Sequence, residues 1–102
     1  MNLFEYELPP EGESFETLHK RGALKIVRIV STSIDEPKEF CDKWEEWVVL
    51  LQGEAKLSMS GQEIVLKAGD TLYIPANTPH TLTSVTRGAL WLAVHYDPKR
   101  CG

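Results

Sequence analysis

A chain of 102 residues, 42% hydrophobic and 25% charged, has the size and make-up of one globular domain; two domains would leave each half short of a self-supporting core. No run approaches the roughly 20 apolar residues that span a bilayer as a helix, and 15 acidic against 11 basic residues, a net charge of −4, leave no basic patch for nucleic acid. Cys41 and Cys101 are too few for a disulfide scaffold and form no CxxC pair, and the N-terminal residues lack the basic and apolar run of a secretion signal, so a cytoplasmic protein is expected, with Cys101 a loose, exposed thiol.

Residues 1–22 are mixed in character and broken at Pro9-Pro10-Glu11-Gly12. They read as an extension ahead of a core spanning residues 24–96, the whole chain 1–102 forming one domain. Phe4, Phe15 and Leu18 are apolar enough to pack on that core, and His19 reads as a surface residue. Leu24 to Ser31 is rich in β-branched residues and partly alternating, which predicts a strand. Arg28 shares a face of it with Leu24, Ile26 and Val30. If that face is the inner one, Arg28 binds a carboxylate or phosphate; otherwise it pairs with an acid at the strand edge. Residues 31–45 read as a polar connection containing Pro37, with one helical turn over 36–46 as the alternative.

An apolar run from Trp47 to Leu51 ends at Gln52-Gly53, where the chain reverses. Ala55 to Ser60 alternates apolar and polar as a half-buried strand does. Gly61-Gln62 fits a tight hairpin turn, Glu63 to Lys67 returns, and Ala68-Gly69-Asp70 turns again. Thr71 to Ile74 is a further strand, ended by Pro75. His80 to Val85 and Ala89 to Tyr96 supply two more. About seven or eight short strands spaced by Gly, Pro and Asp turns predict an all-β sandwich or barrel.

Gly69, Pro75, Asn77, His80 and Ser84 stand at the spacing of the second conserved motif of the cupin superfamily, which this chain resembles over residues 24–96. Asn77 takes the place of a Gly, and Asn is among the residues that best accept positive φ. Ser84 takes the place of an Asn. Glu46 and Gly53 keep the closing spacing of the first motif, but its paired histidines are replaced, at Glu39 and Cys41 or at Phe40 and Asp42 depending on the gap. The resemblance implies a small double-stranded β-helix, a jelly-roll barrel, of the RmlC-like kind found in short single-domain bacterial cupins.

The resemblance also implies that Glu46 and His80 point into the barrel as ligands of a divalent transition metal: iron, manganese, nickel or zinc. Such a site needs at least a third protein donor. Asp42 and Cys41 are the weaker candidates for it, and His95 is another. Cys41 also reads as a rim thiol, because its acidic neighbours Asp42, Glu45 and Glu46 are the wrong setting for a thiolate. In the alternative, Glu46 and His80 hydrogen-bond each other or water in a metal-free polar barrel mouth. His95 shares a strand face with Trp91 and Ala93 and lines the cavity, or faces solvent or a partner. Trp44, Trp47, Trp91 and Tyr73 line a pocket or fill the core, Trp47 alternating away from Glu46. The pocket residues expected are Tyr73, Trp91, His95 and Arg28.

The function expected is binding of a small molecule, and of a metal, near His80 and Glu46. The alternatives are a metal-dependent oxygenase or isomerase acting on a small polar substrate, and a structural or regulatory dimer. A homodimer is expected, joined through sheet edges or through residues 3–8, whose Leu3, Phe4, Tyr6 and Leu8 are too apolar for a free tail. No nucleic-acid or membrane partner is expected.

Overall fold

A computed structural model of the protein describes residues 1–99; Cys101 lies outside the described residues. The strands are β1 (Glu13–Arg21), β2 (Leu24–Ser31), β3 (Lys38–Phe40), β4 (Glu45–Gln52), β5 (Glu54–Met59), β6 (Gln62–Lys67), β7 (Thr71–Ile74), β8 (His80–Val85) and β9 (Ala89–Tyr96). They form two antiparallel sheets, one in the order β1-β2-β9-β4-β7 and the other β3-β8-β5-β6. The sheets face each other as the two walls of a jelly-roll barrel, the all-β architecture expected of the chain.

Strand alternation decides what fills the barrel. Val27 and Ile29 of β2, Val48 and Leu50 of β4, Leu57 of β5 and Leu82 of β8 point inward and pack together, and Leu50 is completely shielded from solvent. This apolar layer closes one half of the barrel. The other half, toward the N-terminal end of β4 and the C-terminal end of β9, carries polar side chains on the same inward face, and the cavity opens there.

The segment ahead of Leu24 departs from expectation in its second half. Residues 13–21 form β1, an edge strand paired with β2 from Glu13↔Ser31 to Arg21↔Leu24. Its Glu, His, Lys and Arg content hides it, because an edge strand of this sheet tolerates polar side chains on both faces. Residues 36–46 make no helical turn. They contain β3, which pairs Phe40 with His80 and Glu39 with Thr81, and Phe40 packs against the core, which an extended chain allows and a single helical turn would not. Residues 3–6 fold back on their own barrel, where Tyr6 OH donates to the Gly88 carbonyl at 2.8 Å.

The turn before β8 shapes the site. Asn77 adopts φ +58°, the conformation anticipated for the residue that stands in place of a motif glycine. Its N–H donates to the Asp42 carbonyl at 2.7 Å. This bond ties the loop ahead of β4 to the loop ahead of β8, and so sets Asp42 beside the first residue of β8.

Candidate functional site

The open half of the barrel is a cavity of about 320 Å³, within the range of small-molecule sites. Val27, Ile29, Leu57 and Leu82 floor it, while Asp42, Glu46, His80 and His95 give it a polar wall. Asp42, Glu46 and His80 converge: each offers a ligand atom, and these atoms lie within 4.8 Å of one another.

His80 is fixed in one orientation. It opens β8, is buried, and stacks on Phe40 with ring centroids 5.7 Å apart. Its Nδ1 lies 3.0 Å from the Thr78 carbonyl. A carbonyl only accepts, so Nδ1 carries the hydrogen and Nε2 keeps its lone pair free. Backbone orientation of an imidazole in this way is common behind metal ligands. Glu46 stands on β4 opposite His95 of β9, and His95 Nε2–H donates to Glu46 Oε2 at 3.0 Å. That bond fixes one carboxylate oxygen and leaves Oε1 for another partner.

This donor set fits a divalent metal. Bonds near 2 Å place neighbouring donors roughly 3–4 Å apart, so only a small closure of the three side chains is needed. Two carboxylates and one imidazole supply the negative charge and the borderline nitrogen that manganese, iron and zinc accept.

A second polar device lies beside the triad. Trp91 Nε1–H donates to Ser31 Oγ at 3.0 Å, and the Ser31 hydroxyl donates to Glu13 Oε2. The order is forced, because an indole N–H can only donate. Glu13 lines the cavity. Its pKa is raised above the ordinary 4.5, chiefly by burial and also by the Glu46 charge, against the lowering effects of the Ser31 hydrogen bond and the Lys38 charge.

Trp91 and His95 line the cavity. Tyr73 and Arg28 do not: the pocket reading of both is corrected, and Arg28 takes its alternative, pairing with an acid, Glu16, outside the barrel. Tyr73 alternates with the inward Ile74, so it stands on the outer face opposite Trp47, half-exposed. Arg28 alternates with the inward Val27 and Ile29. It reaches Glu16 and the carbonyls of Leu3 and Glu5, at 3.3 and 3.0 Å, and so pins the N-terminal segment outside the barrel. Cys41 is exposed and stands outside the triad, because Asp42, one residue on, takes the inward position. Trp47 faces outward and His19 is exposed, both as anticipated. Glu13, Lys25 and Phe40 line the cavity without having been singled out. Phe15 and Thr17 line it too, so inward alternation along Glu13, Phe15 and Thr17 was the signal that could have found Glu13.

The fold, with Glu46 and His80 facing an open cavity, defines a small jelly-roll barrel. A family model described as a cupin domain matches residues 25–95, and the chain belongs to the cupin family. A "putative mannose-6-phosphate isomerase" from Ralstonia eutropha JMP134, known as a crystal structure, is 32% identical with a TM-score of 0.86, over 95% of this chain and 96% of that one. A conserved protein of unknown function from Streptococcus pyogenes is 23% identical, TM-score 0.79, over 97% and 87% of the two chains. An RmlC-like cupin from Shewanella frigidimarina NCIMB 400 is 19% identical, TM-score 0.74, over 86% and 78%. The last two share the fold alone. Comparison with curated proteins finds no match. Among the described residues no helix is long and apolar enough to cross a membrane.

Proposed function

We propose that this cupin holds one divalent transition metal on Asp42, Glu46 and His80 and binds a small polar molecule beside it in the barrel cavity. The observation that carries the reading is the convergence of three ligand atoms to within 4.8 Å on the cavity wall. His80 presents Nε2, Glu46 is steadied by His95, and Asp42 is held in place through its own backbone. A metal there supplies Lewis-acid polarisation of a bound oxygen. Glu13, beside the triad, offers a further carboxyl for a hydroxyl of the ligand.

The test is metal content after purification from metal-supplemented cells. The reading expects close to one equivalent of manganese, iron, nickel or zinc, lost in His80→Ala and in Glu46→Ala. Metal-free protein under every supplement would favour the metal-free polar barrel. The name carried by the 32%-identical relative makes isomerisation of a small polar substrate the first activity to assay.

A homodimer is part of the same proposal, with the outer face of the larger sheet as its interface. Trp47, Tyr73 and Tyr96 remain 44%, 50% and 41% exposed there. Trp47 lies opposite both Tyr73 and Val94, so the apolar groups are contiguous, as at a protein interface.

A further inference from the structure

A single row of cross-strand neighbours crosses the inner face of the larger sheet. Lys20 of β1 stands opposite Lys25 of β2, Lys25 opposite His95 of β9, and His95 opposite Glu46 of β4. Residues directly opposite share a face. Lys20 joins the row because the irregularity between Thr17 and His19 shifts the alternation of β1 by one residue. Like charges on directly opposed residues repel. Among the described residues the ion pairs are Arg28–Glu16 and His95–Glu46, and neither lysine joins one.

Both lysines border a second cavity, of about 210 Å³, that adjoins the barrel cavity. Trp44, His95 and Lys25 line both spaces and form the partition between them. The Trp44 indole stacks on the His95 ring at 5.2 Å, and Lys25 Nζ lies over the indole, 5.5 Å from its centroid. Trp44 Nε1 is shielded from solvent and has no hydrogen-bond partner among the described residues, and the same holds for His95 Nδ1. A buried indole N–H can only donate, so it needs an acceptor from outside the fold. Asp97 is the one carboxylate on the wall, and its Oδ1 accepts the Lys99 N–H at 3.0 Å.

We propose that this second cavity is a subsite for a small oxyanion, the carboxylate or phosphate group of a metabolite, bound by the Lys20 and Lys25 ammonium groups and Trp44 Nε1–H. An oxyanion meets both demands of the site: it neutralises two adjacent cations and accepts from the orphaned N–H, in charge-assisted bonds. In the tautomer that donates to Glu46, His95 Nδ1 is an acceptor, and a hydroxyl of the ligand or a water satisfies it. The subsite needs no metal, so it stands or falls apart from the triad.

The test follows the indole N–H signals of the three tryptophans in 15N-labelled protein, with the Trp44 signal assigned through Trp44→Phe. Inorganic phosphate and malonate are titrated separately at constant ionic strength set with chloride, which removes general screening. The Trp44 signal should move saturably while those of Trp47 and Trp91 stay. Lys25→Met should weaken the affinity roughly tenfold, the scale of one charged hydrogen bond. Lys20→Met, on the exposed edge strand, should weaken it several-fold without disturbing the fold. Movement with phosphate alone identifies a phosphate ester as the natural group, and movement with malonate alone a carboxylate; movement with both supports the shared oxyanion chemistry. A Trp44 signal indifferent to both anions, or an affinity unchanged in Lys20→Met, would overturn the proposal.

Discussion

The glycine that closes the first motif segment and the one that opens the second share a backbone conformation but not their surroundings, so one substitution calibrates the other. Gly53 has φ +95° and Gly69 has φ +94°. A Cβ added at Gly69 meets nothing within 4 Å, whereas at Gly53 it lies 2.5 Å from Thr86 Oγ1 and 3.1 Å from both Cα and Cβ of Ala89. Gly69→Ala therefore costs only the left-handed conformation, about 1–2 kcal/mol. Gly53→Ala adds a steric cost. Thr86 Oγ1 accepts the Glu54 N–H at 3.1 Å, and losing such a bond costs about 1 kcal/mol. Ala89 is fully buried and paired with Ser31, so its backbone has nowhere to retreat. The expected loss at Gly53 is about 3 kcal/mol or more, a fall in Tm of about 12 °C or more for a domain this size. Denaturant unfolding of Gly53→Ala, Gly69→Ala, Thr86→Ala and the Gly53→Ala/Thr86→Ala double variant measures each term. Thr86→Ala should cost less in the Gly53→Ala background by about 1 kcal/mol, since the bond is already lost there. Equal losses at the two glycines, or strict additivity with Thr86→Ala, would refute the reasoning.

Glu13 gives a pH-dependent prediction. Burial raises its folded pKa above the ordinary 4.5, so the folded state binds the proton more tightly than the unfolded one. The associated stability is fully present below the unfolded value and is lost as pH rises through the folded one. Glu13→Gln keeps an acceptor for Ser31 and cannot ionise. In chelator-treated protein its stability advantage over the native chain should grow as pH rises above about 4, read by urea unfolding; a gap that is constant, or shrinks, contradicts this. At the outer face, Trp47→Glu should convert a dimer to a monomer in sedimentation, with the strand signature in circular dichroism unchanged. A native chain that sediments as a monomer at high concentration removes the basis for that interface.

Much of the barrel is legible in the chain because its turns are local. Gly53, Gly61 and Gly69 each sit at a reversal between alternating segments, and the spacing from Gly69 to His80 carries its own geometry. β1 was not legible, since its polar side chains suit a strand edge and a solvated loop equally. The two faces of β2 are both apolar, so the sequence left open where Arg28 points; the structure decides it through Glu16 and the Leu3 and Glu5 carbonyls. Tyr73 was misplaced because an aromatic residue suits a pocket and an interface alike. Within the site, Glu46 and His80 follow from motif spacing. Asp42 stands at one of the two alternative places of a motif histidine, so spacing makes it a candidate but leaves the choice open; the backbone bond from Asn77, a contact across distant segments, ties its loop to that of His80. The row that brings Lys20 beside Lys25 depends on a one-residue irregularity in β1, which alternation alone would have placed on the opposite face.

The central claim is that Asp42, Glu46 and His80 are the ligands of one metal ion. Crystals of manganese-loaded protein, measured at the manganese absorption edge, test it most directly. The account predicts one anomalous peak at bonding distance, about 2.0–2.3 Å, from a carboxylate oxygen of Asp42, Glu46 Oε1 and His80 Nε2. Loaded crystals with no peak in the barrel, or with the ion bound elsewhere and His80 Nε2 hydrogen-bonded to protein, would contradict it.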